Sequence, residues 1–186
     1  MVTNLTQQAI SEAPEISQCN ENVVWVVENY IYKFKPKAIV EVGTYKGGFF
    51  YVLCKTAPRN SILVTVEVNP QHLNKWEVEG YHPNAHLIVG DSHSKAIQSR
   101  VTKILGDKPI DFLFIDANHN YGFVKKDFEL WSPLVCGFVA FHDIYYQEVP
   151  GAMRLWAEIK EKSKFTCESG QGQGIGVVMC KHGRLL

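Results

Sequence analysis

Two aspartates and two histidines fall close together in the second half of the chain. Asp116 ends the apolar run "IDFLFID", His119 follows in "DANHNYG", and "GFVAFHD" ends on His142 and Asp143. Carboxylates that converge in a cleft repel one another unless a cation or a proton lies between them. Hard oxygen ligands favour Mg2+, Mn2+ or Ca2+, so Asp116 and Asp143 are candidate metal ligands, with His142 as an added nitrogen ligand. Adjacent strand residues point to opposite faces, so His142 and Asp143 can serve together only if the chain bends there; otherwise Asp143 is the better choice. His119 titrates near neutrality and suits a general base acting on a hydroxyl held beside the metal. The plainer alternative is a solvated or helix-capping histidine.

A second set of acids precedes this one. Glu41 lies in "VEVGTYKGG", Glu67 in "VEVNP" and Asp91 in "VGDS", each at the end of an apolar run. Glycines at Gly43 and at Gly47–Gly48 let backbone N–H groups approach a ligand closely, or let a helix pack on a sheet. The order of residues is neither G-x-G-x-x-G nor a Walker loop, which counts against a dinucleotide or a triphosphate. Glu67 is placed to accept both hydroxyls of a ribose. Asp91 could accept from an adenine amino group, and Ser92 could cap the next helix; a simple N-cap explains that pair equally well. Three successive acidic tips suit a cationic, hydroxyl-rich nucleoside such as a sulfonium.

Such tips need a scaffold that lines up strand ends. Apolar runs "AIVEV", "SILVTVEV", "AHLIVGD", "IDFLFID" and "VCGFVAFHD" alternate with amphipathic helical segments, which implies a parallel sheet covered by helices on both faces. The helix after the second strand is expected to open at Pro70. "FTCES" and "GIGVVMC", joined by a glycine-rich turn, read as a hairpin that places one antiparallel strand in the sheet. The expected fold is therefore α/β, doubly wound and mostly parallel, in a single domain. Residues 1–20 are polar and read as an arm or lid outside the core, with residues 21–186 forming the domain.

Composition narrows the partners. In 186 residues, Lys plus Arg and Asp plus Glu both number 19, so nothing marks a nucleic-acid or membrane surface, and a homodimer is compatible with the neutral balance. Five scattered cysteines without C-x-x-C spacing fit a reducing, cytoplasmic setting better than a zinc or disulfide framework. His72, His82, His86 and His93 are dispersed and expected to be solvated. The four tryptophans are expected to anchor helix faces.

Taken together, "VEVGTYKGG", "VEVNP", "VGDS", "IDFLFIDANHNYGFVKKDFELWSPLV", "GFVAFHD" and "GQGIGVV" resemble class I S-adenosylmethionine-dependent methyltransferases from about Val24 to Cys180. Within that class the chain is similar to the cephalosporin-hydroxylase-like and macrolide sugar O-methyltransferase group. The resemblance implies a seven-stranded Rossmann-like sheet with one antiparallel strand near its edge. It implies that Glu41, Gly43 and Gly48 border the methionine part of the cofactor, that Glu67 holds its ribose, and that Asp91 and Ser92 face its adenine. It further implies Mg2+ on Asp116 and on an acidic pair whose first member here is His142, with His119 as the base. The chain is shorter than those sugar methyltransferases, so the N-terminal arm or a partner subunit would have to cover the site. The implied reaction is metal-assisted O-methylation of a small hydroxylated acceptor. A non-catalytic S-adenosylmethionine-binding module and an NAD-dependent oxidoreductase are the alternatives; the missing glycine fingerprint counts against the latter.

Overall fold

The computed structural model describes residues 3–180 apart from 17, 19, 70, 72, 74, 161–162 and 170–171, together with the backbone but not the side chains of 75 and 76. Seven strands form one sheet: β1 (Ala38–Val42), β2 (Ile62–Glu67), β3 (Ala85–Val89), β4 (Ile110–Ile115), β5 (Val135–Phe141), β6 (Lys164–Glu168) and β7 (Gly174–Met179). Their order is β3-β2-β1-β4-β5-β7-β6. The first five pair in parallel, and β7 runs antiparallel to both β5 and β6. The expected doubly wound sheet with one reversed strand is what the chain forms. Its strand order reverses between β1 and β4, where a crevice opens beyond the strand tips.

Strand composition explains why both faces are covered. All five positions of β1 are buried, as an unbroken apolar run with one acid requires in a two-sided sheet. Val40, Val42, Val64, Val66, Leu113 and Ile115 pack on one face with α6 (Lys95–Ile104), α7 (Tyr121–Trp131) and α8 (Gly151–Glu158). On the other face Ile39, Leu63, Phe112 and Phe114 meet the segment Asn20–Phe34 and α4 (Gly48–Thr56). That segment consists of α2 (Asn20–Val26), a π-helical turn (Val27–Ile31) and α3 (Tyr32–Phe34). The short α5 (Lys75–Gly80) lies between β2 and β3. The expected helix start at Pro70 lies outside the described residues, as do Cys19 and His72.

The polar N-terminal stretch contains a helix, α1 (Asn4–Glu12), capped by the Thr3 hydroxyl, which accepts the Thr6 N–H. Ala9 is buried in the same cluster as α4, and Thr6 is fully buried. Part of the expected arm is thus core, because Thr6 and Ala9 are buried and Ile10 packs partly buried against the same cluster. Among the described residues no helix is long and apolar enough to cross a membrane. Cys54 and Cys136 are free thiols.

Candidate functional site

At the crevice each parallel strand runs out with one last bond to its neighbour. The N–H groups of Gly43, Gly90, Asp116 and His142 donate to Val66, Glu67, Val42 and Ile115, and beyond these bonds the chain leaves the parallel ladder. Gly43 has φ +90°, and a β-carbon there would overlap the Asp116 carbonyl. Only glycine lets the turn after β1 lie against the end of β4. Gly48 faces a different obstacle, since a β-carbon would strike the carbonyls of Pro14 and Glu15. The chain between α1 and α2 therefore lies directly over the start of α4. The Lys46 ammonium, ion-paired with Glu15, holds it there.

The acids divide between two adjoining cavities. The larger, about 510 Å3, is lined by Glu67, Val68, Asp91, Ser92, Phe123 and Asp127 among others. Glu67 Oε2 accepts the N–H groups of Thr44 (3.1 Å) and Tyr45 (2.8 Å), and Oε1 accepts that of Asn69 (2.8 Å). The carboxylate expected to grip a ribose thus also clamps the glycine turn to the tip of β2. Asp91 is exposed, and its Oδ1 accepts the His93 N–H at 2.9 Å. Ser92 does not cap the next helix. Ser94 occupies the N-cap, while the Ser92 hydroxyl donates to Asp127 Oδ1 at 2.6 Å.

Asp127, His93 and Phe123 were not singled out by sequence reasoning. Asp127 is 1% exposed on α7, and burial raises its carboxyl above the ordinary range although the Ser92 hydrogen bond and His93 act the other way. His93 Nε2 lies 3.2 Å from Asp127 Oδ1, and its ring stacks on Phe123 with centroids 5.7 Å apart. The expectation of a solvated His93 is corrected: its side chain is 8% exposed. His82 is likewise buried, at 6%. Asp127 did leave a signal, for it sits in the stripe Val124, Asp127, Phe128, Trp131, an acid on an otherwise apolar helical face.

The smaller cavity, about 300 Å3, is lined by Glu41, Gly48, His119, His142 and Asp143 and shares Gly43, Tyr45, Asp116 and Ala117 with its neighbour. Glu41 projects from β1 into it and is 1% exposed. Thr65 donates its hydroxyl to Glu41 Oε2 at 2.7 Å, and Thr65 and Thr44 are hydrogen-bonded in turn. Burial lifts the Glu41 carboxyl to about 8, with Asp116 and Glu67 adding to the rise and the Thr65 bond opposing it.

His142 and Asp143 converge because the chain bends. β5 ends at Phe141, and Asp143 has φ +59°, a left-handed conformation that turns its carboxylate toward the same side as the His142 ring. His142 Nδ1 lies 3.1 Å from Asp116 Oδ1 and 3.2 Å from Asp143 Oδ1. His119 Nδ1 lies 2.8 Å from Asp143 Oδ2, with Nε2 3.6 Å from Asp116 Oδ1. The Asp143 hydrogen bond raises the His119 pKa against the opposing effect of burial. For His142, burial pulls downward, but Asp116 and then Asp143 outweigh it and the net shift is upward.

This arrangement does not fit the expected metal centre. Among the described residues, no three His, Cys, Asp or Glu side chains stand where they could hold an ion together. The position between Asp116 and Asp143 is taken by the Nδ1 edge of His142, which is a poorer partner for Mg2+ than the oxygen ligands it prefers. Two histidine–carboxylate pairs, His142 with Asp116 and His119 with Asp143, stand side by side where a cation between carboxylates was expected.

Comparison with known proteins agrees with this architecture. A family model described as a methyltransferase domain matches residues 40–144. A curated relative, "Uncharacterized protein y4gI" from Sinorhizobium fredii (strain NBRC 101917 / NGR234), is 28% identical over 157 residues, 76% of this chain. The chain spans only 17% of that relative's length. The solved structure of cofactor-bound Rv0187 from MTB superposes with a TM-score of 0.67 at 16% identity, covering 94% of this chain and 87% of that one. An O-methyltransferase from Bacillus cereus in complex with SAH gives 0.60 at 16%, covering 96% and 91%. At such identities these structures speak for the fold.

Proposed function

The chain belongs to the methyltransferase-domain family, and from that premise we propose that it transfers the methyl group of S-adenosylmethionine to a hydroxyl oxygen of a small acceptor. The observation that carries this reading is the meeting of two cavities at Gly43, Tyr45, Asp116 and Ala117, one lined by Glu67, Asp91 and exposed apolar surface and the other by a histidine–carboxylate cluster. The Bacillus cereus structure carries SAH, which supports the choice of donor.

In this reading the nucleoside lies in the larger cavity, with Glu67 toward the ribose and Asp91 and Ser92 toward the adenine. Val68 and Phe123, both exposed there, supply apolar surface for the base. The sulfonium stands near the shared wall, with Glu41, Gly43 and Gly48 bordering the amino-acid end. The acceptor enters the smaller cavity with its hydroxyl toward His119.

Transfer is an in-line displacement. An acceptor lone pair forms the O–CH3 bond, the C–S bond breaks onto sulfur, and the sulfonium becomes a neutral thioether. Because positive charge disappears at sulfur, alignment and deprotonation are what the protein must supply. Asp143 accepts from His119 Nδ1–H and so leaves Nε2 as the basic nitrogen; the hydroxyl proton goes there. No step is assigned to a metal ion. The free thiols are compatible with a reducing, cytoplasmic setting.

Calorimetry with S-adenosylhomocysteine tests the donor site, and His119→Ala tests the base. Binding of the nucleoside is expected to survive the substitution while turnover falls on the order of 100-fold or more. Full turnover by His119→Ala would remove His119 from the mechanism. Absence of any heat with the nucleoside at millimolar excess would remove the reading itself.

A further inference from the structure

The smaller cavity contains polar atoms that the transfer reaction does not use. Gln18, 6% exposed, donates its amide N–H to Asp116, which turns its carbonyl oxygen away; that Oε1 is buried without a hydrogen-bond partner. Gln173 lines the same cavity, and its Oε1 is also buried without a partner. So is Asp143 Oδ1, which lies near His142 Nδ1 but outside hydrogen-bonding geometry. All three are oxygens, and an oxygen of this kind is satisfied only by a donor.

Charge points the same way. Among the described residues Glu15, Asp116 and Asp143 line the cavity with a Glu41 that burial keeps largely protonated near neutrality, and the only basic side chains there are His119 and His142. Lys46, the nearest cation along the turn, is paired with Glu15. An anionic group brought among these carboxylates would be repelled at short range in a space partly closed to water.

Resting on the methyl-transfer reading, we propose that the amide oxygens of Gln18 and Gln173 select the acceptor, admitting a small molecule rich in hydrogen-bond donors and free of negative charge. Hydroxyls, with or without a protonated amine beside them, meet that description; carboxylates, phosphates and nucleotide thioesters do not. Gln18 and Gln173 lie on either side of residues 40–144, outside the stretch that the family model matches. The acceptor-reading groups thus come from the segment before α2 and from the turn entering β7. The stretch between them carries the donor site and the base of the methyl-transfer reading.

Matched probes separate the possibilities. Catechol, dopamine and 3,4-dihydroxybenzoate present the same hydroxyl pair with neutral, cationic and anionic substituents, as do glucose, glucosamine and glucuronate for a polyol. Release of S-adenosylhomocysteine is measured with each, alongside calorimetric binding of that nucleoside. The neutral and cationic members are expected to turn over, and the anionic member of each set to fall at least about tenfold behind. Gln173→Leu is expected to raise the KM of the best acceptor by roughly fivefold to tenfold, with kcat within about threefold and nucleoside binding unchanged. Gln173→Glu, which keeps an accepting oxygen, restores the KM for the cationic probe.

Three results overturn the proposal while the nucleoside still binds: faster turnover of an anionic member, an unchanged KM in Gln173→Leu, or an inert panel. If the nucleoside does not bind, the methyl-transfer reading fails first and takes this inference with it.

Discussion

The larger cavity is closed by bonds already made, whereas the smaller one keeps polar atoms waiting. Around the first, Glu67 receives three backbone N–H groups and Ser92 and His93 both turn to Asp127. Around the second, Gln18 Oε1, Asp143 Oδ1, Gln173 Oε1 and His142 Nε2 are all buried and unpaired. Buried polar groups are usually satisfied, and this cluster of exceptions is what the proposed acceptor would complete. A donor common to a whole family can be met by a preformed wall. An acceptor specific to one chain is met by side chains left open.

The contrast can be broken or sharpened by substitution. Gly43→Ala tests the shared wall. A β-carbon at φ +90° against the Asp116 carbonyl combines backbone strain with overlap, and a loss of about 3 kcal/mol or more in urea unfolding is expected, together with loss of nucleoside binding. A variant of ordinary stability would show that the turn can retreat from β4 and that the two cavities are not rigidly coupled.

Asp143→Asn tests the smaller cavity alone. His119 must be neutral to accept a proton, and its pKa is raised chiefly by Asp143, so the wild-type rate climbs with pH through that raised value. Removing the charge is expected to move the rising limb down toward the unperturbed value near 6.5, with nucleoside binding intact. The stability linkage has the matching sign. A raised histidine pKa contributes stability that is complete below about 6.5 and is lost as pH climbs through the folded value, and Asp143→Asn should flatten that dependence in denaturant titrations.

The smallest expected effect concerns metal. Treatment with EDTA followed by Mg2+ is expected to change turnover by less than about twofold, because the His142 edge occupies the position between the two carboxylates. A strict requirement for Mg2+ would mean that His142 swings aside when the acceptor binds, and that the smaller cavity is remade rather than filled.

Much of the larger cavity was legible in the sequence. Strands buried on both faces appear as unbroken apolar runs, and an acid at the end of such a run declares a tip. Glu67 and Asp91 therefore fall at that cavity, while Glu41, one residue short of the end of β1, falls at the smaller one. Side-chain partners were less legible. Ser92 reads as a cap from its neighbours alone, yet Asp127 on α7 captures it across 35 positions of sequence. His93 looks solvated for the same reason.

The bend that brings His142 and Asp143 together could be named as a requirement but not foreseen. A left-handed aspartate is imposed by the surrounding structure, not by its own preference. Gln18 and Gln173 follow no periodicity and belong to connecting segments. They were invisible until the fold set them on one cavity.

Glu41 has a consequence for how this protein would behave in a calorimeter. With its carboxyl lifted to about 8, it carries a proton through most of the neutral range. A cationic ligand arriving beside it favours the ionised form and releases that proton to the medium. Heats of S-adenosylmethionine binding near pH 7 are then expected to differ between phosphate and Tris in proportion to their ionisation enthalpies. The dependence should fade above pH 9 and vanish in Glu41→Gln.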